Sequence, residues 1–166
     1  MPSTSFLFRI TKTFSVAAIG LMTLIIVIGN VTDYYTNYYF VEHVMKMDTI
    51  FPGSRVHYRS ISSPFIYNAG YILIILMEAM MASFCLKGSW QMFKNLRNDG
   101  SVFHASKNWA VAGIMIGILI WFLGFEVIGG EWFSMWQSAT WNGLPAAERV
   151  LSFLFFVLIL LHLRDD

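Results

Sequence analysis

The sequence predicts an all-α membrane protein, built as a four-transmembrane-helix bundle with an extracytoplasmic cap formed by loops 31–64 and 129–145. Composition is the first reason, since 57% of the 166 residues are hydrophobic and 13% are charged, against about 45–50% and about 25% in soluble domains. A soluble chain of this size could not cover that apolar surface. The net charge of +1 also excludes a nucleic-acid binder that relies on bulk charge.

Four apolar segments account for the predicted helices, because a hydrocarbon core of about 30 Å needs about 20 apolar residues. They make the whole chain, 1–166, a single membrane domain. The fourth segment is the shortest, so Glu148 and Arg149 at its start are expected at the level of the lipid headgroups. The segments are 14–30, 65–86, 109–128 and 146–163.

The uneven placement of Lys and Arg predicts the orientation, because these residues accumulate in cytoplasmic segments. Seven of the eleven lie in the N-terminal segment, the 87–108 connection and the C-terminal segment, and four lie on the other side. Both termini are therefore predicted to be cytoplasmic. The seven are Arg9, Lys12, Lys87, Lys94, Arg97, Lys107 and Arg164, and the four are Lys46, Arg55, Arg59 and Arg149.

Glu78 is the one charged residue in the middle of an apolar segment. A carboxylate there costs at least ~2.5–3.5 kcal/mol on insertion scales, so it should face protein or water and is a functional candidate. Residue counting places it level with Thr23 and away from any Lys, Arg or His. We therefore expect a neutral carboxyl group bonded to Thr23 or to a backbone carbonyl. It serves either as a proton or ion site or as a fixed point for helix register.

The exported loops contain a second set of chemically capable side chains. Imidazole and carboxylate groups are the usual ligands of zinc and copper, but no HExxH or similar spacing is present. These side chains are compatible with a metal site and with an ordinary hydrogen-bonded arrangement, and the sequence does not decide between the two. The candidates are Glu42, His43, Asp48, His57 and Glu131.

Aromatic residues dominate the same loops, and this composition is typical of contact surfaces. A helix is expected behind Asp33, with an aromatic stripe that includes Tyr38. Small residues along the third segment favour close helix packing, inside the bundle or against another subunit. The predicted contact residues are Tyr38, Trp132, Trp136 and Trp141, and the predicted packing residues are Gly113, Gly117 and Gly124.

Two long strings in these loops carry a family resemblance. They are NVTDYYTNYYFVEHVMKMDTIFP at 30–52 and GFEVIGGEWFSMWQSATWNG at 124–143. Together with Glu78 between them, they resemble a bacterial family of uncharacterised predicted small integral membrane proteins, a four-span domain of unknown function. The resemblance implies a multi-pass protein of the bacterial inner membrane whose two loops form a periplasmic cap. It carries over no catalytic or binding residue.

These observations favour a non-enzymatic accessory, scaffold or assembly subunit that recognises a partner through its aromatic loops. The alternative is an ion- or metal-handling protein that uses Glu78 or the group around His43, His57 and Glu131. No nucleophile–base pair supports a lipid-modifying enzyme. No cofactor is predicted apart from lipid, with a metal ion as the alternative. The predicted partners are the bilayer and another membrane protein or a second copy of the chain.

Overall fold

A computed structural model describes residues 3–165, and within that range the chain is helical with no β-strand. A π-helix, Leu119–Trp132, continues α5, and 3₁₀ turns lie at His57–Arg59 and Met135–Gln137. The α-helices are α1 (Thr4–Thr32), α2 (Tyr34–Lys46), α3 (Pro64–Lys94), α4 (Gly100–Ala105), α5 (Asn108–Ile118) and α6 (Leu144–His162).

In the described range, four helical stretches are long and apolar enough to cross a membrane. This confirms the predicted four-helix membrane architecture. The shortest has 19 residues, which corresponds to ~28 Å and nearly matches a hydrocarbon core of ~30 Å. The stretches are Thr4–Thr32, Pro64–Lys94, Gly100–Trp132 and Leu144–His162.

The helix ends follow from local sequence signals. Ser3 caps α1, because its Oγ accepts a hydrogen bond of 3.3 Å from the N–H of Phe6. Pro64 opens α3 in the first turn, where its missing N–H costs nothing. Met47 ends α2 in the left-handed region at φ 54°. Asp33 precedes α2, but its carboxylate accepts from the Thr36 hydroxyl at 2.9 Å and makes no cap bond to the backbone.

Helix α3 is the centre of the bundle and packs against both α1 and α5. The contact with α5 is close because small residues face each other. A Cβ added to Gly88 would lie 2.4 Å from the backbone nitrogen of Ala110. One added to Gly113 would lie 2.6 Å from Cys85 Sγ, and one added to Gly117 would lie 2.8 Å from Met81. Two of the three predicted packing glycines therefore pack inside the bundle.

The third glycine of that stripe, Gly124, lies in the π-helix. The nearest atom to an added Cβ is the Leu119 carbonyl oxygen at 3.8 Å, so no other helix packs closely there. A π-helix has wider turns than an α-helix and usually occurs as a single turn, often near a functional site. Here it brings the third membrane stretch to the loop that begins at Phe133, whose N–H donates to the Ile128 carbonyl at 3.0 Å.

Candidate functional site

The intramembrane site is built around Glu78, which is 4% exposed. Asn30, two residues before the end of α1, donates from Nδ2 to Glu78 Oε2 at 2.7 Å. Asn37, in the first turn of α2, donates to Asn30 Oδ1 at 2.7 Å. Tyr71 OH donates to the Asn30 backbone carbonyl at 3.2 Å. A continuous hydrogen-bonded chain therefore runs from the buried carboxyl group to the α1–α2 junction.

A cavity of about 280 Å³ adjoins this chain, and Glu78, Asn30, Asn37 and Tyr71 all line it. One water molecule needs only ~10–15 Å³ of such space and two to four polar partners, so the cavity is large and polar enough to be hydrated. Arg149, in the first turns of α6, lines the same cavity. The pocket therefore extends from the buried carboxyl group of Glu78 to the exposed guanidinium group of Arg149.

The prediction that Glu78 bonds Thr23 or a backbone carbonyl was wrong, because its partner is Asn30. The Thr23 hydroxyl donates to the Ile19 carbonyl at 2.9 Å. It lies 3.7 Å from the sulfur of Met81, which is one turn beyond Glu78 on α3. This error comes from counting residues as though the helices were parallel and equally inserted. Arg149 lines the same pocket but is exposed, and in residues 3–165 Glu78 forms no ion pair with it or with another cationic side chain.

The two long loops contact each other at this end of the bundle. The Thr49 and Ser138 hydroxyls are 2.7 Å apart, and the Phe51 N–H donates to Gln137 Oε1 at 3.1 Å. Arg59 donates to the Trp132 backbone carbonyl at 3.3 Å, and its guanidinium lies 4.9 Å from the centre of the Trp132 ring. Backbone and side-chain bonds thus join loop 31–64 to loop 129–145.

An aromatic surface lies across this junction, and we call it the cap surface: Phe51, Tyr58, Arg59, Trp132 and Trp136. Tyr58 is 77% exposed, Trp132 52% and Trp136 49%. Phe51 packs edge-on against Trp136, with ring centres 5.9 Å apart. Arg59 lies between the rings of Tyr58 and Trp132.

The other two predicted contact residues lie elsewhere. Tyr38 is buried with Tyr67 and Tyr71, where α2 crosses α3. Trp141 stacks on the imidazole of His43, with ring centres 4.5 Å apart. Tyr38 thus packs α2 onto α3 and Trp141 packs loop 129–145 onto α2, and the sequence pattern alone did not separate them from the exposed aromatic residues.

In the described residues the structure pairs two of the five metal-ligand candidates, His43 and Asp48, and does not gather the set into one site. His43 Nδ1 lies 2.7 Å from Asp48 Oδ2. Glu42 is bonded instead to Lys46, and this hydrogen bond raises the pKa of Lys46. Glu131 meets Arg59 only through its backbone carbonyl, at 3.4 Å. In residues 3–165 no three His, Cys, Asp or Glu side chains form a group able to hold a metal ion.

Comparison with protein families identifies the chain. Residues 8–164 match the model of a family described as "Predicted small integral membrane protein (DUF2165)". The chain belongs to this family. Comparisons with curated proteins and with solved structures found no match. Membership confirms the predicted resemblance to small integral membrane proteins and, with the four apolar stretches, the multi-pass architecture, and it assigns no functional residue.

A buried ionic cluster lies at the end of the bundle opposite the two long loops. The sequence analysis did not predict it. Lys12 is 0% exposed, Lys107 3% and Asp165 5%. Lys12 Nζ bonds Asp165 Oδ1 at 2.7 Å and the Leu163 carbonyl at 2.6 Å. Lys107 Nζ bonds the other carboxylate oxygen, Asp165 Oδ2. It also donates to the Leu161 carbonyl, at 2.7 Å.

This ionic cluster fixes the chain after α6 against the start of α1. Arg9 strengthens the attachment by donating to the Asp165 backbone carbonyl at 2.7 Å and to the Asn98 carbonyl at 2.6 Å. Asp165 stands three residues beyond the end of α6, a position typical of a solvated tail. No spacing pattern links it to Lys12, so only the folded chain reveals the contact.

Glu126 and Glu131 flank Gly129 and Gly130 at the predicted membrane interface, and this position in the sequence predicts salt bridges to Arg55, Arg59 or Arg149. In residues 3–165 neither carboxyl group forms an ion pair, and the Oε1 atom of Glu126 is buried without a hydrogen-bond partner. Glu126 lies in the π-helix, whose wider turn departs from the α-helical spacing on which the expected pairing was based. The expected salt bridges were therefore wrong for the described chain.

Proposed function

We propose that this protein is a non-enzymatic accessory or scaffold subunit of the bacterial inner membrane, with both termini in the cytoplasm, which recognises a membrane-protein partner through the cap surface. The observation that carries the proposal is the exposure of four aromatic side chains around Arg59. Arg, Trp and Tyr are the residues that contribute most at protein interfaces. Their side chains come from two loops that are bonded to each other, so the surface is preorganised.

The orientation has support from the seven-to-four distribution of Lys and Arg. It can be tested with single cysteines, since Cys85 is the one native cysteine and is buried. We expect a membrane-impermeant maleimide added to spheroplasts to label S54C but not N98C, which lies at the other end. Labelling of N98C alone would reverse the proposed topology.

Partner recognition is tested by crosslinking and capture of the full chain in mild detergent. We expect W132A/W136A to lose a partner that the wild-type protein captures. The matched control is F156A, because Phe156 is exposed on the side of α6 and is far from the cap. Capture that is unchanged in W132A/W136A, or repeated recovery of the protein alone as a monomer, would contradict the proposal. Crosslinks from the cap to lipid alone would identify these residues as membrane anchors.

A second candidate function is the binding of a proton or small cation at Glu78. It rests on the cavity beside the carboxyl group and on the chain of amide groups that leads to it. Intramembrane carboxyl groups in such settings commonly belong to proton or ion pathways.

This second candidate is tested by infrared difference spectroscopy and by elemental analysis. We expect a carboxyl C=O band that changes with pH in the wild-type protein and is absent in E78Q. The control is E148Q, which alters an exposed carboxylate at the start of α6. Loss of the band in E148Q but not in E78Q would contradict the assignment. Stoichiometric metal that disappears in E78Q or H43A would favour the metal-handling alternative instead.

A further inference from the structure

A groove of about 830 Å³ runs between α1 and α3 at the end of the bundle opposite the cap. Phe6, Ile10, Phe14 and Ala17 line it from α1, and Leu86 is among the residues that line it from α3. From Phe6 to Ala17 the helix rises ~16 Å. That length is about half of a ~30 Å hydrocarbon core, which is the depth of one lipid leaflet.

The body of the groove offers carbon surface to an occupant. Its polar side chains are already satisfied, because Thr13 donates to the Arg9 carbonyl at 2.8 Å and Ser89 donates to the Leu86 carbonyl at 2.9 Å. The groove is open along its length, with Phe14 72% exposed. A hydrocarbon chain fits this lining, and a polar ligand does not.

One end of the groove is basic. Lys94 and Arg97 line it there, and Arg97 also lines an adjoining hollow of about 480 Å³ together with Ser5 and Arg9. No acidic side chain lines either space in the described chain. In residues 3–165 neither Lys94 nor Arg97 forms an ion pair. Their charges therefore remain available to an anionic headgroup.

We propose that this groove is a binding site for an anionic phospholipid, with one acyl chain along α1 and the phosphate at Lys94 and Arg97. Charge complementarity at the headgroup and an apolar groove of one-leaflet depth together specify this ligand class. Basic sites between membrane helices bind anionic headgroups, at about 1 kcal/mol for each Lys or Arg near the surface. Trp90 at the rim, with Lys94 5.8 Å from its ring centre, fits the level of the membrane interface.

Native mass spectrometry of the delipidated full chain tests this, with titration by phosphatidylglycerol and by phosphatidylcholine. We expect wild-type protein to bind phosphatidylglycerol more tightly. In K94Q/R97Q that affinity should fall by about 5-fold for each charge removed, with phosphatidylcholine binding unchanged. The control R55Q/R164Q removes two exposed arginines that line neither space and should behave as wild type.

A second variant tests the acyl-chain part without altering charge. Filling the groove with A17F should weaken the binding of both lipids. Equal wild-type affinity for the two lipids would overturn the proposal, and so would equal losses in K94Q/R97Q and R55Q/R164Q. The proposal would also be overturned if inorganic phosphate at the concentration of the lipid displaced the lipid and A17F had no effect. The site would then bind an anion without using the acyl chain.

Discussion

Asn30 donates a 2.7 Å hydrogen bond to Glu78, and this bond joins the end of α1 to the middle of α3. The amide oxygen of Asn30 accepts from Asn37 at 2.7 Å, so the same side chain also ties α2 to the bundle. A buried carboxyl group in an apolar helix is costly unless it is hydrogen-bonded. Asn30 therefore makes Glu78 compatible with the bundle and connects it to α2.

Replacing Asn30 with Ala should lower the free energy of unfolding by about 1–2 kcal/mol, the range found for hydrogen bonds between membrane helices in model peptides. A double-mutant cycle with E78M measures the coupling, and we expect the double variant to lose less than the sum of the single variants. Thermal unfolding in detergent is the readout. N68A is the control partner, because Asn68 bonds Tyr34 at 3.0 Å instead. Strict additivity for N30A and E78M would show that the bond contributes nothing.

A methyl group at Gly88 should damage the packing of α3 on α5. The new Cβ would lie 2.4 Å from Ala110 N and 2.7 Å from Ala110 Cα, and backbone atoms cannot rotate away. We expect G88A to lower the free energy of unfolding by about 1–3 kcal/mol. The matched control is G29A in α1, where nothing lies within 4 Å of the new Cβ. G29A should be as stable as wild type, and an equal loss in both variants would refute the packing explanation.

The four membrane stretches could be predicted from sequence because the length of an apolar run is a local property. The contact between the two aromatic loops also followed, since both were expected on one side of the membrane. The partner of Glu78 did not follow. It depends on how far α1 and α3 slide and tilt relative to each other, and that register is set by side-chain packing along both helices. Residue counting therefore selected Thr23, whereas the bonded residue is Asn30.

The buried ionic cluster shows a second limit of sequence reasoning. Lys12 and Lys107 lie at the ends of apolar segments, where lysine side chains ordinarily extend into solvent. In the structure the chain beyond α6 turns back and covers them with Asp165. The burial of Lys12 and Lys107 thus depends on contacts with a residue 153 and 58 positions away, respectively. Neither periodicity nor composition reports such a contact.

Removing the carboxylate of Asp165 should be more damaging than either change described above. The side chains of Lys12 and Asp165 are 1% and 3% exposed, so D165N would leave two buried ammonium groups without a counter-charge. Breaking a buried ion pair in this way costs about 3–5 kcal/mol. We expect a correspondingly lower unfolding temperature in detergent, with D99N as an exposed control. A D165N protein as stable as D99N would mean that the cluster is not buried in the membrane-embedded protein.

The same carboxyl group should make the protein acid-sensitive. Burial alone would raise the pKa of Asp165, but the hydrogen bonds from Lys107 and Lys12 outweigh it and hold the pKa below its ordinary value. A carboxyl group with a depressed pKa contributes stability that is complete above its unfolded pKa of about 3.9 and is lost as the pH falls through the folded pKa. The unfolding temperature of the wild-type protein should therefore drop below about pH 4. In D165N that drop should be smaller because the titrating group is gone, whereas D99N should follow the wild-type curve. Parallel curves for wild type and D165N between pH 3 and pH 6 would assign the acid sensitivity to other groups.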